Sequence, residues 1–285
     1  MNSERPVVLV AGATGRTGRL VVEAADRHGL RARALARAPD RARSLVPAAE
    51  VVQGDLEDLS TLTGAVSGID AVIFAHGSDQ DARPGAFARI DYGGVAQVLR
   101  ALDGRRPRIV LVSTFFVTHR DHYFNDGGHA LDWKRRAERL VRASGAPHTI
   151  VRPGWLDQVT AGDDVLVLEQ GDQIEAGVSR QQVAQTVVRS LLTDTAIGKT
   201  FELFAAPGPV TQEWARLFAA LKSDTPGTLD ATGDPANLPL SSEPESVRND
   251  ITTLRNHNSG PNTQKDWSNS AATSLASRAS SATNA

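Results

Sequence analysis

In residues 7–18 an apolar, β-branched run ends at Ala11-Gly12, and Gly12, Gly15 and Gly18 then recur at every third position. From Arg19 onward the pattern is that of an amphipathic helix. A strand that passes through a glycine turn into a helix N-terminus is the arrangement that holds a dinucleotide pyrophosphate. Each glycine has its own steric task. Gly12 permits the tight turn, Gly15 lets backbone approach a phosphate, and Gly18 lets helix and strand pack closely. Thr14, Arg16 and Thr17 fill the rest of the turn, and the unpaired N–H groups of the helix start supply the anion site. A glycine turn facing an empty crevice would look the same, so a second element of the fingerprint has to decide.

Short apolar strands alternate with helical segments through the first two thirds of the chain. Strands are expected at 7–11, 31–36, 50–53, 71–75, 108–113, 149–152 and 200–203, and helices near 18–27, 59–66, 88–102, 131–143 and 180–192. Strand and helix taking turns over short connections predict a parallel sheet covered on both faces, an α/β Rossmann-type doubly wound fold. Ligands then bind at the C-terminal edge of the strands. The expected divisions are a nucleotide-binding domain over 1–204, a small annex over 205–255 that completes the substrate side, and a disordered tail over 256–285. The annex mixes prolines and acids around a short helical stretch at 212–221. The tail is Ser, Ala, Asn and Thr, with Trp267 as its one large apolar residue.

Composition narrows the partners. A formal charge of −2 over 285 residues gives no electrostatic case for nucleic acid or an anionic membrane. The absence of cysteine excludes disulfides, thiolate metal sites and a cysteine nucleophile. The first strand follows MNSERP directly, leaving no room for a signal peptide, and no apolar run approaches the ~20 residues that span a bilayer. A cytoplasmic monomer or homodimer acting on a small molecule is expected.

The second fingerprint element lies at the end of the second strand. An NAD-preferring site carries an acid there, about 20 residues past the glycines, to accept from the ribose hydroxyls. This chain reads RARALAR, ending on Arg37, with no acid before Asp40. A guanidinium at that place clamps a 2′-phosphate, and Arg16 can reach the same group. NADP(H) is favoured and NAD(H) stays possible, while a solvated Arg37 among basic neighbours is the plainer reading. Asp55 and Leu56 follow the third strand, where Asp55 can equally cap the next helix. Ala75, His76 and Gly77 close the fourth strand, with His76 as a wall of the cofactor passage.

GATGxxG in the first turn and KxxxExxxxxSG…TIVRP, read at Lys134, Glu138, Ser144, Gly145 and 149–153, resemble the atypical short-chain dehydrogenase/reductase superfamily, in its NmrA-like and biliverdin/flavin-reductase-like branch. The resemblance covers residues 7–203. It implies that Asp55 accepts from the adenine amine with Leu56 beside the ring, that Lys134 holds the nicotinamide ribose, and that Pro153 turns the chain beside the nicotinamide. Ser113 and Thr114 end the fifth strand, where they would polarise an acceptor. The usual YxxxK tyrosine is missing, because Ala130 stands four residues before Lys134. Of the two tyrosines, Tyr92 is expected to be structural, and Tyr123 lies in a polar loop from which it would reach the nicotinamide. Lys134 also opens a basic run, Lys134-Arg135-Arg136, of the kind that is normally solvated. His119, His122 and His129 fit no standard zinc spacing, so no metal is expected. There is no GxSxG elbow. Two functions of different class follow: an NAD(P)H-dependent reductase of a small carbonyl, quinone or flavin-like acceptor, or an NADP(H)-sensing regulatory protein without turnover. A sugar-nucleotide epimerase fits less well, since that chemistry needs the tyrosine.

Overall fold

The computed structural model describes residues 5–78, 83–160, 162, 164–210 and 213–258. Its first half runs β1 (Val7–Ala11), α1 (Arg16–Arg27), β2 (Arg31–Ala36), α2 (Pro39–Leu45), β3 (Glu50–Gln53), α3 (Leu62–Ala65), β4 (Ala71–Phe74), a π-helical turn (Phe87–Tyr92), α4 (Gly93–Ala101) and β5 (Arg108–Val112). There follow α5 (Ala130–Ala143), β6 (His148–Pro153), β7 (Trp155–Leu156), β8 (Val165–Glu169), β9 (Gly177–Val178), α6 (Arg180–Leu192), β10 (Lys199–Ala206), α7 (Trp214–Ala219) and α8 (Glu245–Asn258).

Eight strands form one sheet in the order β3-β2-β1-β4-β5-β6-β10-β8. All neighbours are parallel except β8, which runs antiparallel to β10 at the edge. This is the Rossmann-type fold expected, with the strand order reversing between β1 and β4. Successive residues of a strand point to opposite faces, and β1 is apolar throughout because both faces are covered. Val8 and Val10 enter the core under α1 and α6, while Val7, Leu9 and Ala11 enter the core under α3, α4, α5 and α8.

Several elements differ from the sequence expectation. The boundary at 204 falls inside β10, which continues to Ala206. The strand β8, the β7–β9 pair and α2 were not expected; α2 is short and charged, and starts on Pro39 as its first residue. The expected helix at 212–221 appears as Trp214–Ala219, and Gln212 lies outside the described residues. Residues 256–258, assigned to the tail, close α8. The remaining tail, with Trp267, also lies outside the described residues. Among the described residues no helix is long and apolar enough to cross a membrane.

The basic face of α5 is the largest departure. Arg135, Arg136, Arg139 and Arg142 are all buried rather than solvated. The segment between β10 and α8 supplies their acids. Arg139 donates to Asp230 at 2.8 Å and to Glu243 at 2.6 Å, Arg136 donates to Glu243 at 2.6 Å, and Arg142 reaches Asp224 at 3.2 Å. Deeper still, Arg152 of β6 donates to Glu138, Asp234 and Glu202. The annex is therefore fastened along the back of α5 by ion pairs.

Burial pushes Glu202 up to about 7, with the nearby Asp172 charge adding to it and Arg152 opposing. A carboxyl with a raised folded pKa contributes stability below its unfolded value and loses it as pH rises through the folded one. Relative to Glu202→Gln, the wild-type chain should lose stability between pH ~5 and ~8, a trend readable from urea midpoints across that range. A constant difference between the two proteins would show that Glu202 stays ionised throughout.

Candidate functional site

At the switch point, the loops after β1 and β4 part and open a cleft of about 960 Å³ along the C-terminal edge of the sheet. The glycine turn forms its floor. Gly12 has φ +83°, and a Cβ there would stand 2.6 Å from the His76 backbone, so no other residue fits. A Cβ on Gly18 would lie 2.0 Å from Gly12 O. This is the close helix–strand contact the third glycine was expected to allow. Gly15 is the N-cap of α1, yet no side chain caps that helix and no acid sits in its first turn. Its leading N–H groups are thus left for a ligand that faces the cleft, and an anion answers both the donors and the helix dipole.

Gly12, Thr14, Gly15, Arg16 and Thr17 line the cleft, as do Arg37, Asp55, Leu56, Ala75, His76 and Gly77. Ser113 and Lys134 line it too. From β3 to β5 there are four inter-strand steps, roughly 19 Å at sheet spacing. Asp55 and Ser113 follow those two strands, so the cleft has the reach of an extended dinucleotide. Arg37 is exposed at the end of β2, and its nearest following acid, Asp40, is taken by Arg43 at 2.6 Å. Arg19, not foreseen, joins Arg16 and Arg37 in the lining. Asp55 Oδ1 accepts from Glu57 N at 3.0 Å, a turn contact at the start of the loop rather than a helix cap.

Gly18 and Pro153 are buried, and neither they nor Thr114 are among the residues lining the cleft. Tyr123 is 60 % exposed, outside the lining, and its ring leans on His122 and meets Phe124 edge to face. Tyr92 is structural in the way expected, since its hydroxyl donates to Asp250 of α8 at 2.7 Å. Burial and that carboxylate raise its pKa far above the ordinary value. Ala130 opens α5 and is buried.

Lys134 is held differently from a bare ribose ligand. Its Nζ donates to Asp91 Oδ1 at 2.6 Å, and the other Asp91 oxygen accepts from the Ser78 N–H and hydroxyl. Burial alone would raise the Asp91 pKa, but the Lys134 charge and its hydrogen bond hold it below the ordinary range. Asp91 sits in the π-helical turn before α4, where the sequence reads IDYGG. An acid two residues ahead of a pair of helix-starting glycines was the available signal. Ser113 Oγ is buried and completes no hydrogen bond, although it lies near enough to Glu138 to help hold that carboxylate ionised.

Beside this end lie Phe115, Phe116, Phe124 and Trp155, with the Phe115 and Phe124 rings 5.0 and 5.6 Å from Trp155. Leu156, next in the chain, lines the cleft. Two of the loop histidines, His119 and His122, pack on Phe116 of this cluster, whereas His129 is exposed at the start of α5. His119 meets Asp172 O at 2.7 Å, and His122 Nδ1 accepts from Phe124 N. Among the described residues no group of His, Cys, Asp and Glu is arranged to hold a metal ion.

A family model described as NAD(P)H-binding matches residues 12–194. Sanguinarine reductase of Eschscholzia californica is 28% identical over 266 residues, covering 76% of this chain and 97% of that protein. A structure described as a putative NAD-dependent epimerase/dehydratase from Bacillus halodurans superposes with a TM-score of 0.66 at 25% identity, covering 76% of this chain and all of that one. An anaerobilin reductase from Escherichia coli O157:H7 shares the fold, with a TM-score of 0.55 at 20% identity over 73% of this chain and 100% of its own.

Proposed function

The chain belongs to the NAD(P)H-binding family, and on that premise we propose that it is an NADPH-dependent reductase of a small carbonyl, quinone or flavin-like acceptor. The observation that carries the reading is the single cleft that joins the glycine turn and Arg37 to Ser113 and Lys134. Sanguinarine reductase is, by its name, a reductase of a small molecule, which supports turnover in this family.

A bound reduced nicotinamide supplies two electrons and a hydrogen as hydride. This chain's residues do the rest. The first N–H groups of α1 bind the pyrophosphate, Arg37 with Arg16 and Arg19 binds the 2′-phosphate, and Asp55 with Leu56 receives the adenine. Lys134 approaches the nicotinamide ribose while Asp91 keeps it charged. Ser113 donates to the acceptor oxygen, and the Trp155–Phe124 cluster excludes water from one side of a flat ring. With Ala130 in place of a tyrosine, positioning carries more of the catalysis than acid strength.

A second reading, an NADP(H) sensor without turnover, is favoured by that same Ala130. The two separate in one experiment, in which NADPH oxidation is followed against a panel of quinones, flavins and small carbonyls beside a direct NADPH titration. Turnover is the expected result. Tight binding with none across the panel overturns the reductase and leaves the sensor.

Arg37 tests the cofactor preference. Charge-assisted contacts to a phosphate contribute about 1.5–3 kcal/mol, so Arg37→Glu should weaken NADPH binding by roughly tenfold to a hundredfold and NADH by far less. Equal losses would remove Arg37 from the 2′-phosphate role.

A further inference from the structure

Adjoining the large cleft, and sharing His76, Val112, Ser113 and Lys134 with its wall, is a small, partly open cavity of about 10 Å³ that Asp91, Leu111 and Ala137 complete. That is room for one water molecule. Two of its wall residues carry buried polar atoms that complete no hydrogen bond, Ser113 Oγ and His76 Nδ1. The other imidazole nitrogen, Nε2, lies 3.0 Å from Ile90 O. A carbonyl only accepts, so Nε2 carries the proton and Nδ1 is an acceptor. Burial lowers the His76 pKa, which keeps the ring neutral. Lys134, an ammonium donor, is anchored on the same cavity by Asp91 at 2.6 Å. A water needs two to four polar partners to be retained in such a place, and these four side chains provide a donor, acceptors and a hydroxyl that does either.

We infer that this cavity seats one ordered water joining Lys134 to Ser113, and that Lys134, the water and Ser113 deliver the proton that Ala130 cannot. The inference rests on the reductase reading. The hydride carries both electrons to the acceptor. As the acceptor's multiple bond yields its electron pair to oxygen, that oxygen takes the Ser113 hydroxyl proton. In the same passage Ser113 takes a proton from the water, and the water takes one from the Lys134 ammonium. Lys134, with 21% of its side chain exposed, regains a proton from solvent. One hydride and one proton are consumed for each acceptor reduced. His76 Nδ1 orients the water, and Asp91, itself held by Ser78, is a positioning residue for Lys134. Among the described residues, the charged and titratable groups facing the relay are Asp91 from the π-helical turn, His76 from the end of β4, and Glu138 from α5.

A crystal structure of the full chain at hydrogen-revealing resolution should contain an ordered water within hydrogen-bond distance of Ser113 Oγ, His76 Nδ1 and Lys134 Nζ. Nitrogen NMR should report His76 as the Nε2–H tautomer. With 9,10-phenanthrenequinone as acceptor, Ser113→Ala should lower kcat about a hundredfold, the usual worth of a positioned proton donor, with the NADPH Kd within about twofold of wild type. Asp91→Asn should move the alkaline limb of the kcat profile down by about one pH unit, because the neighbouring carboxylate no longer favours the charged lysine. A merely structural Asp91 would change kcat without moving that limb. A dry cavity, or Ser113 bonded to Glu138 alone, overturns the relay whatever the turnover. Wild-type turnover that persists in Ser113→Ala and Asp91→Asn overturns the relay and spares the reductase. A wild-type protein inert towards every acceptor overturns the reductase and the relay with it.

Discussion

Gly18→Ala should lose NADPH binding and stability together, whereas Gly15→Ala should lose binding and keep its fold. The two glycines stand three residues apart in one turn, yet a side chain meets very different surroundings at each. At Gly18 the new methyl would sit 2.0 Å from Gly12 O, 2.7 Å from Gly12 C and 3.0 Å from Ala13 Cα. These are backbone atoms of the cradle itself, so the helix must back away from β1 or the turn must deform. Overpacking of this kind costs about 1–3 kcal/mol or more, and it moves the N–H groups that bind phosphate. At Gly15 the nearest atom is Gly12 O at 3.2 Å, and φ is −73°, which alanine adopts readily. The fold survives there at the small cost of a poorer N-cap, under about 1 kcal/mol. The methyl instead occupies the surface where a phosphate must approach. NADPH titration and urea midpoints on both variants check the pair. Tight NADPH binding by a stable Gly15→Ala protein would remove the pyrophosphate from this turn.

That contrast also indicates what the sequence could disclose. The glycine turn is local, and all its parts lie within about one strand and one helix turn, so spacing alone reveals it. The central strands are equally legible, because a sheet covered on both faces demands unbroken apolar runs such as 7–11 and 108–112. The edge strand β8 was missed because it follows the irregular β6–β8 connection and pairs backwards onto β10. Asp91 was missed because its partner Lys134 lies 43 residues downstream. Arg135 and Arg136 of α5 were misread for the same reason on a larger scale, and Arg139 and Arg142 beside them are paired in the same way. Glu243 meets Arg139 across 104 positions and Asp224 meets Arg142 across 82. A basic helix face is solvated by default, and only the return of the chain after β10 makes it an interior. Ala130 needed no partner to be read, since an alanine has no proton to give in any surroundings.

Arg152→Met should be the most destabilising of these substitutions, and its effect should fade in acid. Arg152 is 0 % exposed and donates to three carboxylates, Glu138 at 2.7 Å, Asp234 at 2.7 Å and Glu202 at 3.1 Å. Methionine fills much of the same volume, so lost packing is small and the charge effect dominates. Removing one partner of a buried ion pair costs about 3–5 kcal/mol, because the other charge stays buried without compensation. For a chain of this size that corresponds to a fall of roughly 10 °C in melting temperature. The pH dependence identifies the cause. In the wild-type protein, burial would raise Glu138, but Arg152 and Arg142 hold it down to about 2. Its contribution is therefore complete above the unfolded carboxylate range and is lost only as pH falls towards about 2. Without Arg152 the same burial pushes these carboxyls upward. They then take up protons on folding, and the variant regains stability as pH drops from about 8 to about 5. Urea midpoints for the two proteins should accordingly converge on acidification. A deficit of the same size at both ends would mean that the loss comes from packing around β6 and not from the buried charges that fasten the annex to α5.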